Sequence, residues 1–224
     1  MPTLRVAAYN VHGFRAGTSA VADALAGEEP DVAILNEVGF LGFRLRRCAS
    51  LLGMEHVSGL WRMRPVRNAV LARRPWRIVG KHVERLPRHA GSIQRGVVFA
   101  LARRAGRRLT VGAVHLGLSQ RERELHAREL TDLLAGVPHP VIFGGDLNEG
   151  PDGPASAWIA GRYWDAFARQ GEGEGATFPA AEPRARIDYV FVSDGLEVER
   201  IWVGAGATET SDHLPVFADV LVGE

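Results

Sequence analysis

The stretch Val141-Ile-Phe-Gly-Gly-Asp146-Leu-Asn148-Glu-Gly150 decides how the chain is read. A short apolar run, the signature of a buried strand, ends in two glycines and then presents a carboxylate and an amide. Glycines followed by Asp and Asn are also ordinary turn chemistry. A turn and a site are therefore both open at this point, and the rest of the chain has to choose.

Other apolar runs end the same way. "LRVAAYNV" places Asn10 and then His12 at its end, and "DVAILNEV" places Asn36 and Glu37. "RLTVGAVHL" ends in His115, "RIDYVFVS" carries Asp188, and Asp212-His213 stand immediately before "LPVFADVLV". All four asparagines of the chain (Asn10, Asn36, Asn68, Asn148) fall in or beside such segments, whereas turn asparagines would scatter through loops. Polar residues at strand ends can converge on one rim of a sheet sandwich.

Between these runs lie amphipathic segments. "TSAVADALAGEEP" reads as a short helix capped by Thr18 or Ser19, and "LGFRLRRCASLLG" as a helix stopped by Gly53. "SQRERELHARELTDLLAG" is the clearest helix. Ser119 and Glu122 form a capping box, and Ala127, Leu130 and Leu134 share one face. "GPASAWIAG" is a fourth. "RNAVLARRP", "RIVGKHVERLP", "IQRGVVFALARR" and "LEVERIWVG" read as further strands, with a hairpin turning at Ala105-Gly106. Strands adjoin too often for a purely alternating doubly wound sheet. Two packed sheets with helices outside fit better. The stretch from Gly171 to Arg186 is the longest loop, and such loops often border sites.

The 224 residues, 46% hydrophobic and 24% charged, suit a single globular domain over 1–224. No apolar stretch approaches a membrane span, and the first residues lack the layout of a signal peptide. Cys48 is the single cysteine, so no intrachain disulfide forms and a cytoplasmic location is expected. Net charge is +1 but unevenly spread: 17 of the 27 Lys and Arg lie between Leu41 and Thr110, with only two of the 26 acids. A basic third beside an acidic remainder suits an anionic partner and a cation-binding centre. The arginines at 62, 64, 67, 73, 74 and 77 are placed to follow a polyanion, though only Trp61 and Trp76 lie near enough to stack bases.

The site chemistry is that of a hard cation. Glu37, Asp146, Asp188 and the amide oxygens of Asn10 and Asn148 are oxygen donors, which suit magnesium, and no zinc spacing is present. Ser211-Asp212-His213 is no protease triad, because sequence neighbours do not adopt that geometry.

Taken in order, "YNVHG", "LNEV", "RNAVLARRP", "VHLG", "GGDLNEGP", "RIDYVFV" and "SDHLPV" resemble the endonuclease/exonuclease/phosphatase superfamily, the pancreatic-DNase-like fold, from Tyr9 to Val216. The resemblance implies a four-layer α/β sandwich: two packed mixed sheets flanked by helices, with the site at one end. It implies a Mg2+- or Mn2+-dependent hydrolase of phosphate esters, with Glu37, Asn10 and Asp212 near the metal. Asp146 and Asn148 match the pair that orients or deprotonates water and holds phosphate. His115 is similar to a phosphate-binding histidine, and His213 to the catalytic histidine, oriented by Asp188. His12, Arg67, Asn68 and Arg186 are weaker candidates for substrate contact. The glycines of "GGD" are expected to bring backbone close to the phosphate. Asn36 stands where the family usually has Gln, and Arg67 where it often has Gly. The expected substrate is a phosphodiester, nucleic acid among the options, with a phospholipid head group or small phosphate ester as the alternative. A silent binding module would have lost some of Glu37, Asp146, Asn148 or His213. A monomer without a protein partner or membrane insertion is expected.

Overall fold

The computed structural model describes residues 2–60, 63, 65–89 and 91–223. In chain order the elements are β1 (Thr3–Asn10), a 3-10 turn (His12–Phe14), α1 (Thr18–Ala26), β2 (Val32–Asn36), α2 (Gly42–Leu51), β3 (Met54–Gly59), β4 (Val66–Arg73) and β5 (Arg77–Arg85). They continue with β6 (Gly96–Arg104), β7 (Arg107–His115), α3 (Gln120–Ala135), β8 (Val141–Asp146), α4 (Pro154–Ala160), β9 (Trp164–Asp165) and α5 (Ala166–Gln170). The last are β10 (Gly171–Glu172), β11 (Asp188–Val192), β12 (Glu197–Val203) and β13 (Val216–Leu221).

Two mixed sheets result: β10-β12-β13-β1-β2-β4-β3, and β5-β6-β7-β8-β11-β9. One core joins them face to face, with Val6, Ile34 and Val70 on one side and Val98, Val111 and Ile142 on the other. A second core seats α1 and α2 on the first sheet through Val21, Leu25, Leu45 and Cys48. A third seats α3 and α4 on the second through Leu130, Leu134, Phe143 and Ile159. The central strands are covered on both faces, which is why they read as near-continuous apolar runs. Cys48 is buried, and burial pushes its thiol up to about 12, so it is a packing residue rather than a nucleophile. No helix among the described residues is long and apolar enough to cross a membrane.

The hairpin between β6 and β7 turns at Ala105 (φ 45°) and Gly106 (φ 85°), the doubly left-handed turn that matches strand twist. Ser119 Oγ accepts the Glu122 N–H at 3.3 Å, as the capping box requires. Three local readings differ. Gly17, not Thr18 or Ser19, sits at the N-cap of α1, and no side chain caps it. "MEHVSG" forms an edge strand, β3, whose mixed exposure gives no clean alternation. The five-residue α5 is too short to show a periodic face.

What positions the site is register. Asn10 of β1, Asn36 of β2 and Asn68 of β4 lie on one row across the first sheet. Gly96, His115, Asp146 and Asp188 lie on one row across the second. These rows face each other at the same end of the sandwich, and side-chain hydrogen bonds join them.

Candidate active site

The buried asparagines stitch the sheets beneath the site. The Asn36 side-chain amide donates to Val114 O at 2.7 Å and to Asn68 Oδ1 at 3.1 Å. Its oxygen accepts the backbone N–H of Asp146 at 2.9 Å. Asn68 in turn donates to Gly96 O at 2.8 Å and Ala113 O at 3.1 Å. Every strong group of Asn68 is spent inside the protein, so it is a sheet-to-sheet tie and not the substrate contact expected. The glycines of "GGD" serve this tie too. A Cβ on Gly145 would lie 2.3 Å from Asn36 Oδ1, and one on Gly144 would lie 2.0 Å from Tyr189 O. They admit the asparagine and the neighbouring strand, rather than bringing backbone to a phosphate.

Asp146 is the hub. Its Oδ2 accepts from Asn10 Nδ2 at 2.9 Å and lies 3.2 Å from His115 Nε2 and 3.8 Å from His213 Nε2. Its Oδ1 accepts the Asn148 N–H at 2.8 Å, a local turn in which the residue is at once turn former and site residue. Burial works against the charge of Asp146, but the two imidazoles and the Asn148 N–H hold its carboxyl well below the usual range.

His213 is held from behind. Its Nδ1–H donates to Asp188 Oδ2 at 2.8 Å, and that oxygen also accepts from Thr177 Oγ1 at 2.6 Å. Phe178 packs against the ring at 4.9 Å between centroids. Thr177 and Phe178 come from the connection between β10 and β11; Gly171–Glu172, expected as the start of this loop, instead pairs with β12 as the short strand β10. Burial penalises the imidazolium, yet Asp188, then Asp146 and Asp212, outweigh it and raise His213 to about 9. His115 is shifted the other way: burial, reinforced by the Arg95 charge, lowers it despite Asp146. The two imidazoles beside Asp146 thus sit at opposite ends of the proton scale, a pattern typical of acid–base sites.

An outer group lies on the other side. Arg67 and Arg95 approach Glu37 Oε1 at 3.6 and 3.8 Å, and His12 Nδ1 lies 3.2 Å from Asp212 Oδ1. The His12 N–H donates to Asn10 Oδ1 at 3.1 Å, linking the outer group to Asp146. Glu37 (φ 54°), His12 (φ 43°) and Asn148 (φ 52°) all hold left-handed backbone, strain of the kind that clusters at functional sites. A cavity of about 560 Å3 opens here, lined by His12, Arg15, Glu37, Phe40, Arg44 and Arg67 among others. Contacts run from Glu37 through Arg95, His115 and Asp146 to His213, which puts all five at the same end of the sandwich.

Some candidates lie elsewhere. Both terminal nitrogens of Arg186 bind Asp165, at 3.1 and 2.8 Å, which removes it from the substrate role expected. Arg73, Arg74 and Arg77 sit at the far end of β4 and beyond it, away from Glu37, so they do not line this mouth. Trp76 is buried and offers no stacking surface. Trp61, Arg62 and Arg64 lie outside the described residues. Arg95 and Thr177 were not singled out from the sequence. A charge directly before the apolar run "GVVFA" was the signal for Arg95; Thr177 had none.

As to a divalent metal, the donor chemistry fits one: Glu37 and Asp212 offer hard carboxylate oxygens, and Asn10 Oδ1, which accepts the backbone N–H of His12, keeps its second lone pair. Donor atoms of Asp146, Asp188 and His213 also lie within 4.8 Å of one another. There, however, His213 Nδ1 and Asp188 Oδ2 are already hydrogen-bonded to each other at 2.8 Å, with Asp146 3.8 Å beyond the opposite edge of the ring, so the trio reads as an oriented imidazole beside a second carboxylate.

The family model described as Endonuclease/Exonuclease/phosphatase family matches residues 7–213. The chain belongs to this family. Solved members share the fold at low identity. An endonuclease/exonuclease/phosphatase from Bacteroides vulgatus superposes with a TM-score of 0.85 at 17% identity, covering 100% of both chains. The mannosyl-6-phosphatase of Bacteroides thetaiotaomicron gives 0.81 at 19%, covering 98% of this chain and 100% of that one. D. rerio TDP2, solved with a single-strand DNA product, gives 0.79 at 15%, covering 99% and 100%. No curated protein matches the chain in sequence. Phosphoester hydrolysis is the activity the family membership supports.

Proposed function

We propose that the protein, one catalytic domain over 1–224, is a Mg2+- or Mn2+-dependent phosphodiesterase that acts by in-line attack of water. The observation that carries this reading is the buried Asp146 carboxylate set between two imidazoles, His115 backed by Arg95 and His213 backed by Asp188. At neutral pH His213 is cationic and donates from Nε2 to a phosphate oxygen, with Asp188 holding the ring. Asp146, fixed by Asn10, His115 and the Asn148 N–H, orients the attacking water and takes its proton as the new P–O bond forms; the bond to the leaving ester oxygen breaks, and that oxygen takes the Nε2 proton of His213. His115 and the Asn148 amide contact the phosphate. A metal held by Glu37, Asn10 and Asp212 would neutralise phosphate charge and lower the pKa of the attacking water.

The basic cavity beside Glu37 supports a diester, because it offers Arg15, Arg44 and Arg67 to the part of the substrate beyond the scissile phosphate. Nucleic acid suits it, with Phe40 exposed at the rim and the Arg67 guanidinium over its ring at 5.1 Å. The second reading is a phosphatase or phosphodiesterase for a head group or small ester, favoured by the full-length match to a sugar-phosphate phosphatase. A monomeric, cytoplasmic enzyme without a protein partner is part of the proposal; of these, the reducing compartment is the one the single, unpaired, buried Cys48 suits.

One panel tests it: bis-(p-nitrophenyl) phosphate, plasmid DNA, abasic-site duplex, RNA, phosphatidylinositol phosphates, sphingomyelin and mannose 6-phosphate, each with Mg2+, Mn2+ or EDTA. Turnover of diesters, lost in EDTA and in Glu37→Gln, is expected. Turnover of monoesters alone would replace the first reading by the second, and none at all would end both.

A further inference from the structure

The two imidazoles at Asp146 are backed by opposite charges. Behind His213 stands a carboxylate. Behind His115 stands a guanidinium: Arg95 NH1 lies 2.8 Å from His115 Nδ1. Both side chains are buried, with Arg95 7% and His115 3% exposed, so no water competes for the contact.

A guanidinium has N–H donors and no acceptor. Were His115 protonated at Nδ1, two N–H groups would oppose each other at hydrogen-bond distance and leave a buried donor unpaired. The far edge of the ring asks for the same arrangement. Nε2 lies 3.2 Å from Asp146 Oδ2, an oxygen that accepts. A bare Nε2 would set two lone pairs against each other. Both neighbours therefore select one neutral form, protonated at Nε2 and bare at Nδ1. Burial and the adjacent cation disfavour the imidazolium as well.

Arg95 is itself held in place. Its carbonyl accepts from Leu86 N at 3.1 Å and Gln94 Nε2 at 2.8 Å. Buried His126 ties this loop to the segment after His115, contacting Pro87 O while accepting the Gly117 N–H at 3.1 Å.

We infer that Arg95 is a positioning residue that locks His115 in the Nε2–H form, making it a fixed hydrogen-bond donor toward Asp146 and, on the functional reading above, toward the scissile phosphate. His115 is thereby withdrawn from proton transfer: its only free lone pair is covered by Arg95. The proton chemistry is left to Asp146 and His213.

The test is a long-range 1H–15N correlation spectrum of the metal-free protein, with the His115 signal assigned by His115→Gln. The expected wild-type form is Nε2–H, unchanged between about pH 6 and 8, the range in which an ordinary histidine titrates. Arg95→Met should release the lock, giving mixed tautomers or an ordinary titration. Arg95→Lys, which still donates one hydrogen bond to Nδ1, should restore it. In kinetics with Mg2+, Arg95→Met should lower kcat by about 10- to 100-fold with a smaller change in KM, and Arg95→Lys should recover most of it. An Nδ1–H or cationic His115 in the wild type overturns the inference, as does an unchanged His115 signal in Arg95→Met. If Arg95→Met does not fold, the wild type and Arg95→Lys decide it, because a lysine variant that loses the Nε2–H form denies the donor its role. The spectra need no substrate. A protein that hydrolyses no phosphate ester would end the functional reading and leave the tautomer result standing.

Discussion

Asp188 accepts the Nδ1–H of His213 at 2.8 Å, while the opposite edge of the same ring stands 3.8 Å from Asp146. One carboxylate orients the imidazole and another stands at its opposite edge. The two residues are 25 positions apart in sequence and meet because β11 and the segment before β13 end at the same mouth.

Removing the ring tests this relationship directly. His213→Ala should reduce hydrolysis by roughly 10²–10⁴-fold, the usual weight of general acid–base help. Asp188→Asn should fall less, since the ring stays but loses its anionic support. Circular dichroism should show both variants folded. Near-normal turnover by His213→Ala would move the proton donor elsewhere.

The raised His213 also makes stability depend on pH. Its folded value of about 9 exceeds the ordinary 6.5. Protonation therefore favours the folded state, and this contribution is complete below pH 6.5 and lost as pH rises through about 9. The loss amounts to about 3 kcal/mol. Urea melts of the metal-free protein across this range should show the decline, and His213→Gln should flatten it. Parallel slopes in the two proteins would contradict the raised value.

The asparagine tie is a stability device. Asn36→Ala strands the Asp146 N–H and two buried carbonyl groups, at a cost of about 2–3 kcal/mol. Gly145→Ala drives a methyl into Asn36 and Val114 O at a residue with φ 123°, and should cost at least as much. Denaturant unfolding measures both. Changes below about 0.5 kcal/mol, the range of ordinary surface substitutions, would show that the tie is dispensable.

Charge placement gives a fourth expectation. Arg67→Ala, beside Glu37, should weaken polyanion binding and lower its salt slope by about 1. The triple change Arg73→Ala, Arg74→Ala, Arg77→Ala removes three charges and should leave the slope unchanged, because these residues lie at the other end of the strand. Fluorescence anisotropy against salt with a labelled oligonucleotide separates the two. A larger effect from the triple variant would place the anion elsewhere.

Much was legible because the signal is local. Apolar runs set the strands, Ser119 and Glu122 mark the start of α3, and Ala105-Gly106 turns its hairpin through backbone that only permissive residues adopt readily. Strand ends also announced Asn10, Glu37, His115, Asp146 and His213 as residues worth attention, and ordered motifs named the family. Other features had no local signal. The edge strand β3 lacks alternation because neither face is fully covered. Gly17 caps α1 where a hydroxyl was expected, because that helix start is left without a side-chain acceptor.

The chain by itself therefore determined the family and the order of its strands and motifs, since residue type and strand periodicity are written in sequence. Only the tertiary structure decided how their side chains are employed. Asn68 and Arg186 looked like substrate contacts until the opposing sheet and Asp165 consumed their hydrogen bonds. Arg95 drew no notice in the sequence, and only the fold sets it behind His115. A hydrogen bond has few places to be spent, and which partner takes it depends on strands that meet only when the two sheets close.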